Sequence, residues 1–273
     1  MTDRYAVIGN PINHSKSPLI HGMFAKVTSQ DIEYTAIEGP LGGFAGAVDA
    51  FRKAGGLGMN VTAPFKLDAF AYATERSPRA QLAGAVNAMK FEGDRVIVEN
   101  FDGVGLVRDV THNLKCQLKG KRVLMLGAGG AARGALLPFL EQQPERLVIA
   151  NRHPDKALEL AALGAAHGNV TGGGYAELDG QAFDVVFNAT SASLRAELPP
   201  IPTTVFAVDC IAYELAYGKG LTPFLRLAQN AGVPQLADGV GMLAEQAAEA
   251  FAWWRGVRPD TRAVIDAITI ALV

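Results

Sequence analysis

Ser15 and Ser17 flank Lys16 in the run GNPINHSKSP. In an extended segment, residues two apart face the same side, so the two hydroxyls are expected to point at one hydrogen-bond acceptor. With Pro18 next in the chain, Ser17 also reads as a helix N-cap followed by proline at N1. Asn60 and Thr62 repeat the two-residue spacing at the end of GLGMNVT, and Lys66 follows just beyond Pro64. Ligands of α/β sheets sit at the carboxyl ends of parallel strands, which makes these three side chains candidates to grip a small molecule. A solvated lysine on the next helix is the competing reading of Lys66. Asn87 and Asp102 join the candidates because their neighbours are apolar or glycine.

A second constellation lies further on. Gly127-Ala128-Gly129-Gly130-Ala131-Ala132 follows the apolar run VLML and opens a helical pattern, fitting G-x-G-x-x-[GA]. Glycines there permit a tight turn and close backbone approach, while the unpaired N–H groups of the helix start can hold a pyrophosphate. A glycine-rich turn without a ligand has the same look. After the next apolar run, RLVIA, comes Asn151-Arg152-His153-Pro154-Asp155-Lys156, where an NAD-binding chain would place an acid for the ribose 2′-hydroxyl. Arg152 and Lys156 suit a 2′-phosphate instead, so NADP is the expected cofactor. The competing reading is an ordinary solvated helix start, and Asp155 stands in the same turn.

Elements able to position such residues need a sizeable core. The chain has 273 residues, 49% hydrophobic, enough for two domains of ordinary size. With 25 basic and 27 acidic residues and no run of like charge, it lacks the footprint of a nucleic-acid or membrane binder. No stretch approaches the roughly 20 apolar residues of a membrane span, and the start of the chain lacks a signal-peptide pattern, so a cytoplasmic protein with small-molecule partners is expected. Cys116 and Cys210, far apart, suggest no disulfide framework, and the five histidines show no metal-ligand spacing, so no protein-held metal is expected.

Short β-rich runs alternate with helical patterns along the first hundred residues, as in YAVIG then PLIHGMFAKV and GLGMNV then PFKLDAFAYA. That alternation predicts βαβ units and a mainly parallel sheet. AVNAMKF and RVIVEN form an expected hairpin across Glu92, Gly93 and Asp94. A second βα series starts at Arg122, and the residues from MLAEQAAEAFAWW onward are helical in period. The reading is a two-domain α/β protein: a substrate-binding and catalytic domain over 1–103, a dinucleotide domain over 104–240, and C-terminal helices over 241–273 that return to the first domain.

These motifs together resemble the shikimate dehydrogenase family of the aromatic amino-acid pathway, nearly end to end. GNPINHSKSPLIH resembles its opening substrate motif, NVTAPFK its catalytic lysine motif, AGAVNA its substrate asparagine segment, GAGGAAR and NRHPDKA its NADP motifs, and DGVGMLAEQAAEAF its C-terminal motif. The resemblance implies a Rossmann-type NADP domain and reversible, NADP-dependent reduction of 3-dehydroshikimate to shikimate. It implies that Lys66 and Asp102 handle the proton, and that Ser15, Ser17, Asn60, Thr62, Asn87, Tyr217 and Gln246 contact substrate. It also assigns Thr190 in NATS, Leu215 and Gly239 to the cofactor, beside Gly127, Ala128, Gly129, Gly130, Ala131, Asn151, Arg152 and Lys156. A monomer or homodimer is expected. Three positions depart from the family pattern: Phe101 stands for threonine, Ser193 for glycine and Glu214 for aspartate. The phenyl ring is expected to enter the substrate pocket and reduce its polarity. Rival readings are a quinate/shikimate dehydrogenase of broader range and a non-catalytic NADP-binding regulator.

Overall fold

The computed structural model describes residues 2–218 and 220–272, apart from the Leu194 side chain. The chain forms two units, the first running to Gly105 and taking in Ala244–Ile268, the second comprising Leu106–Leu243 and the residues from Thr269 on. In chain order the first unit holds β1 (Asp3–Gly9), α1 (Ser17–Thr28), β2 (Ile32–Glu38), α2 (Phe44–Lys53), β3 (Gly56–Val61), α3 (Lys66–Tyr72), β4 (Glu75–Arg76), α4 (Pro78–Ala83), β5 (Ala88–Glu92), β6 (Arg95–Glu99) and the start of α5 (Asp102–Arg108). The second carries β7 (Arg122–Leu126), α6 (Gly130–Glu141), β8 (Arg146–Ala150), α7 (Pro154–Gly164), β9 (Val170–Gly173), β10 (Phe183–Asn188), β11 (Phe206–Glu214), α8 (Pro223–Asn230) and β12 (Gln235–Asp238). Helix α9 (Val240–Arg255) begins there and continues into the first unit, followed by α10 (Arg262–Ile268).

The first sheet has the order β2-β1-β3-β5-β6-β4, with β2, β1 and β3 parallel and β5 and β6 closed as an antiparallel hairpin around Gly93 at φ 61°. Alternation along β1 explains why both faces are covered. Ala6 and Ile8 join one apolar cluster with Val48 and Phe51 of α2, Ala69 of α3, and Met59 and Val61 of β3. Tyr5 points the other way, into a cluster with Ala88, Phe101, Ala250 and Trp254. Helix α9 thus caps that second face, and its Trp254 donates its indole N–H to the Met89 carbonyl at 3.0 Å. Gly58 admits the indole, since a Cβ there would lie 2.6 Å from Trp254 Nε1.

The second sheet is wholly parallel, in the order β12-β11-β10-β7-β8-β9. Numbered from β7, this is 3-2-1-4-5-6, the dinucleotide-binding order whose crevice opens where the strand order reverses. That point is at the carboxyl ends of β7 and β10, the positions of Gly127 and Ala189. Leu124, Leu126, Val186, Phe183 and Phe224 fill one side of the sheet. The residues from Thr269 on belong with this unit, where Leu272 packs against the same cluster.

His21 of α1 is wholly enclosed by aromatic rings in the first unit, stacked on Tyr34 at 4.1 Å between centroids and 4° between planes. Desolvation by burial lowers its pKa from 6.5 to about 3, so the imidazole is neutral at ordinary pH. A depressed histidine pKa contributes stability that is complete above pH 6.5 and is lost as pH falls toward 3. Urea denaturation at pH 7 and pH 5 should therefore differ by about 2 kcal/mol on account of this one group. His21→Phe, which keeps a ring in the stack, should remove that component; an unchanged pH slope would remove His21 from the account.

Candidate active site

In the first unit, polar side chains converge where β3, β5 and the β6–α5 connection meet. Lys66, the first residue of α3, places Nζ 2.5 Å from Asp102 Oδ2, with the lysine side chain 34% and the aspartate 16% exposed. Asp102 opens α5, and its N–H is held by Asn100 Oδ1 at 3.0 Å while the Asn100 amide donates to the Ala85 carbonyl. Behind them, buried Glu99 accepts from Ser77 Oγ at 2.5 Å, from Arg79 at 2.6 Å and from the Asn100 N–H at 2.8 Å. Asn87, 3% exposed, donates from Nδ2 to Asp102 Oδ1 at 2.8 Å and to Gln246 Oε1 at 3.1 Å. Its Oδ1 accepts the Phe101 N–H at 2.8 Å. Gln246 reaches this place because α5 and α9 approach closely at Gly105, where a Cβ would lie 2.6 Å from the Gln246 backbone nitrogen.

Beside this group, Asn60 at the end of β3 accepts from the Tyr34 hydroxyl at 2.7 Å and donates to the Asn87 carbonyl at 3.1 Å. Thr62 follows β3, its N–H donating to the Ile8 carbonyl, so it stands at the adjoining ends of β1 and β3. Ser15 Oγ accepts the Ser17 N–H at 3.3 Å. Their proximity does not come from an extended segment: Lys16 has φ −84° and ψ −8°, which makes a turn. Nor is Ser17 the N-cap, because it is the first helical residue, Lys16 occupies the cap, and no side chain bonds there.

The second unit contains a cavity of about 430 Å³ at the reversal point of its sheet. Gly127, Ala128, Gly129 and Gly130 form one wall, Asn151, Arg152 and Lys156 another, and Thr190 a third. Gly127 has φ 102°, a conformation that favours glycine, and a Cβ on it would come within 3.1 Å of the Ala189 oxygen. Space beyond Gly129 and Gly130 is open, with no atom within 4 Å of a Cβ built on either. This is a cradle suited to pyrophosphate at the start of α6, and the basic side chains suit a further phosphate. Sequence reasoning missed Arg195, which also lines the cavity and pairs with Glu197 at 3.0 Å; Glu197 in turn lies 3.8 Å from Arg152. Nothing in the local sequence marks Arg195, which lies in a single 3₁₀ turn. Ala131, Leu215 and Gly239 are not among the lining residues; Leu215 and Gly239 meet each other, a Cβ on Gly239 falling 2.2 Å from the Leu215 oxygen. Tyr217 lies between β11 and α8 with 40% of its surface exposed.

Family signatures described as the shikimate dehydrogenase substrate binding domain, shikimate / quinate 5-dehydrogenase and the shikimate 5′-dehydrogenase C-terminal domain match residues 7–89, 109–196 and 239–269. Shikimate dehydrogenase (NADP(+)) from Nitrosospira multiformis is 55% identical over 272 residues, covering 100% of this chain and 99% of that protein. The chain belongs to the shikimate dehydrogenase family. Among solved structures, an Ael1 enzyme from Pseudomonas putida is 62% identical with a TM-score of 0.95 and full coverage of both chains. Shikimate 5-dehydrogenase from Thermus thermophilus, in complex with NADP(H) and shikimate, is 31% identical with a TM-score of 0.86 and 98% coverage of each chain.

The expectation that the Phe101 ring enters the pocket of this family member is overturned. Phe101 is 5% exposed and lies in the apolar cluster under α9, edge-on to Trp253 with centroids 5.7 Å apart. Its backbone serves the site through Asn87 while its ring serves the core. Phe101→Thr should accordingly lower stability by about 3 kcal/mol, the scale of emptying an aromatic site, with KM for the organic substrate little changed. Denaturation and steady-state kinetics of the same preparation check this: intact stability with a shifted KM would return the ring to the pocket.

Proposed function

We propose that this chain catalyses the NADP-dependent, reversible reduction of 3-dehydroshikimate to shikimate. The observation that carries the reading is the Lys66–Asp102 pair, held at 2.5 Å by a buried amide in a chain 55% identical to a shikimate dehydrogenase (NADP(+)). NADPH, when bound, supplies the hydride for the carbonyl carbon. The carbonyl oxygen then gains alkoxide character and needs a proton, which the Lys66 ammonium donates while Asp102 keeps the lysine in place. The oxidative direction releases that proton, so oxidation of shikimate is favoured by rising pH. The open cradle at Gly127–Gly130 and the cations Arg152 and Lys156 fit a 2′-phosphorylated dinucleotide, with Asn151 and Thr190 beside them.

In this reading Ser15, Ser17, Asn60, Thr62, Asn87, Tyr217 and Gln246 contact the substrate. Residues 1–103 hold the substrate, 104–240 the cofactor, and 241–273 include the helix that brings Gln246. Ala131, Leu215 and Gly239 keep a place in the cofactor assignment through the family resemblance alone. Among the described residues no helix is long and apolar enough to cross a membrane, and no group of three or more acidic, histidine or cysteine side chains is arranged for a metal ion. We place the enzyme in the cytoplasm, as a monomer or homodimer without nucleic-acid or membrane partners. An idle cofactor sensor has no need of the Lys66–Asp102 pair.

Loss of NADPH absorbance with 3-dehydroshikimate, against 3-dehydroquinate and against NADH, tests the substrate and cofactor together. Lys66→Ala should lower kcat by roughly 10²-fold or more with the fold retained; near-normal turnover would exclude Lys66 from the proton step. Arg152→Ala should weaken NADPH binding by about 10- to 150-fold and NADH binding far less, since it removes a charge-assisted bond to phosphate. Equal weakening of both cofactors would make Arg152 a loop support.

A further inference from the structure

Glu214, the last residue of β11, is 0% exposed, yet its hydrogen-bond partners among the described residues include no cation. One carboxylate oxygen accepts from the Ser193 hydroxyl, from Asn188 Nδ2 at 2.9 Å and from Thr222 Oγ1 at 3.1 Å. The other accepts the Ala216 N–H at 3.3 Å. Burial pushes its carboxyl above the usual range, and these hydrogen bonds draw it back part of the way. Nothing in the proton chemistry of Lys66 and Asp102 uses this group.

Its neighbours point to its use. Asn188 donates to Ser193 Oγ at 3.1 Å, and its Oδ1 accepts from both the Thr190 hydroxyl at 2.7 Å and the Thr190 N–H at 3.2 Å. Thr190 Oγ1 then accepts the Ala192 N–H at 3.2 Å. Thr190, Ser191 and Ala192 form a wall of the cofactor cavity, whereas Ser193 and Glu214 lie behind it and do not line it. Thr222, through the Leu225 N–H, ties the same carboxylate to the start of α8. The wall runs into one short 3₁₀ turn, over Ala192–Arg195. An aspartate at 214 would fall one methylene short of the Ser193 hydroxyl, and a glycine at 193 would offer none, so the two residues that depart from the family pattern in this region bond to each other.

We propose that Ser193 and Glu214 are a coupled pair of positioning residues that fix the Thr190–Ala192 wall and thereby set the affinity for the dinucleotide. The inference rests on the NADP-binding reading given above. Calorimetric titration with NADP⁺ of Ser193→Ala, Glu214→Asp and the double variant tests it, with melting temperatures measured in parallel. Ser193→Ala, which removes the bond to Glu214 and the one from Asn188, should raise Kd for NADP⁺ roughly tenfold, on the scale of a net loss of about 1.4 kcal/mol. The double variant should bind less weakly than the two single losses summed, because the Ser193–Glu214 bond is lost only once. At saturating cofactor, kcat for Ser193→Ala should stay within about twofold of wild type, since no group at the reacting atoms is removed.

An unchanged Kd, with or without a lower melting temperature, would make the pair merely structural and overturn the proposal, as would losses that simply add. If Glu214→Asp does not fold, Ser193→Ala decides alone. Wild-type protein that binds no NADP⁺ overturns the cofactor reading and this inference with it, whereas normal wild-type binding with unaffected variants overturns this inference only.

Discussion

Asn87 has one side-chain amide, and three residues on two segments of the first unit hang on it. Its oxygen holds the Phe101 N–H; its nitrogen holds Asp102 from the start of α5 and Gln246 from α9. At 3% exposure none of these bonds has water as a ready substitute, and a buried polar group left unmatched costs about 1–3 kcal/mol. The arrangement is therefore nearly all-or-none: the connection into α5 and helix α9 take positions that satisfy this amide together. Asp102 inherits a fixed place from it, and Lys66 inherits its place from Asp102.

The second unit solves a similar problem with different groups. Its exposed cations, Arg152 and Arg195, can adjust to a ligand, and their ion pairs with Glu197 are solvated and weak. Accuracy comes instead from the buried layer behind the cavity, where Asn188 gathers Thr190, Ser193 and Glu214. In both units a buried asparagine gathers the polar side chains that stand behind or beside the site.

Much of this architecture is legible in the residues themselves. The strand–glycine–helix passage at Gly127, the hairpin at Gly93 and the helical period from Met242 onward all follow from local pattern, because each arises from contacts close in sequence. Strands β9 and β12 are not legible: VTGG and QLAD are short and poor in β-branched or aromatic residues, so they form as edge strands only because a neighbour offers hydrogen bonds. Nor is the side taken by Phe101, which lies beyond the end of β6, where the alternation that orients Val96 and Val98 has stopped. The Ser193–Glu214 bond joins residues 21 apart whose separate departures from the family pattern carry no sign that they meet. Asn60 is legible as a polar group at a strand end, but its tie to Tyr34 across 26 residues is not.

The packing of α9 has a spectroscopic consequence. The chain has only two tryptophans, Trp253 and Trp254, adjacent on that helix. One meets Phe101; the other stacks on Tyr5 with centroids 4.8 Å apart. Both indoles therefore emit from the first unit, and intrinsic fluorescence follows the docking of α9 on its sheet while the second unit stays dark. An unfolding curve recorded at tryptophan wavelengths and one recorded by far-ultraviolet dichroism would superimpose only if the two units melt together. Their separation would give, without any added label, the stability of one unit relative to the other.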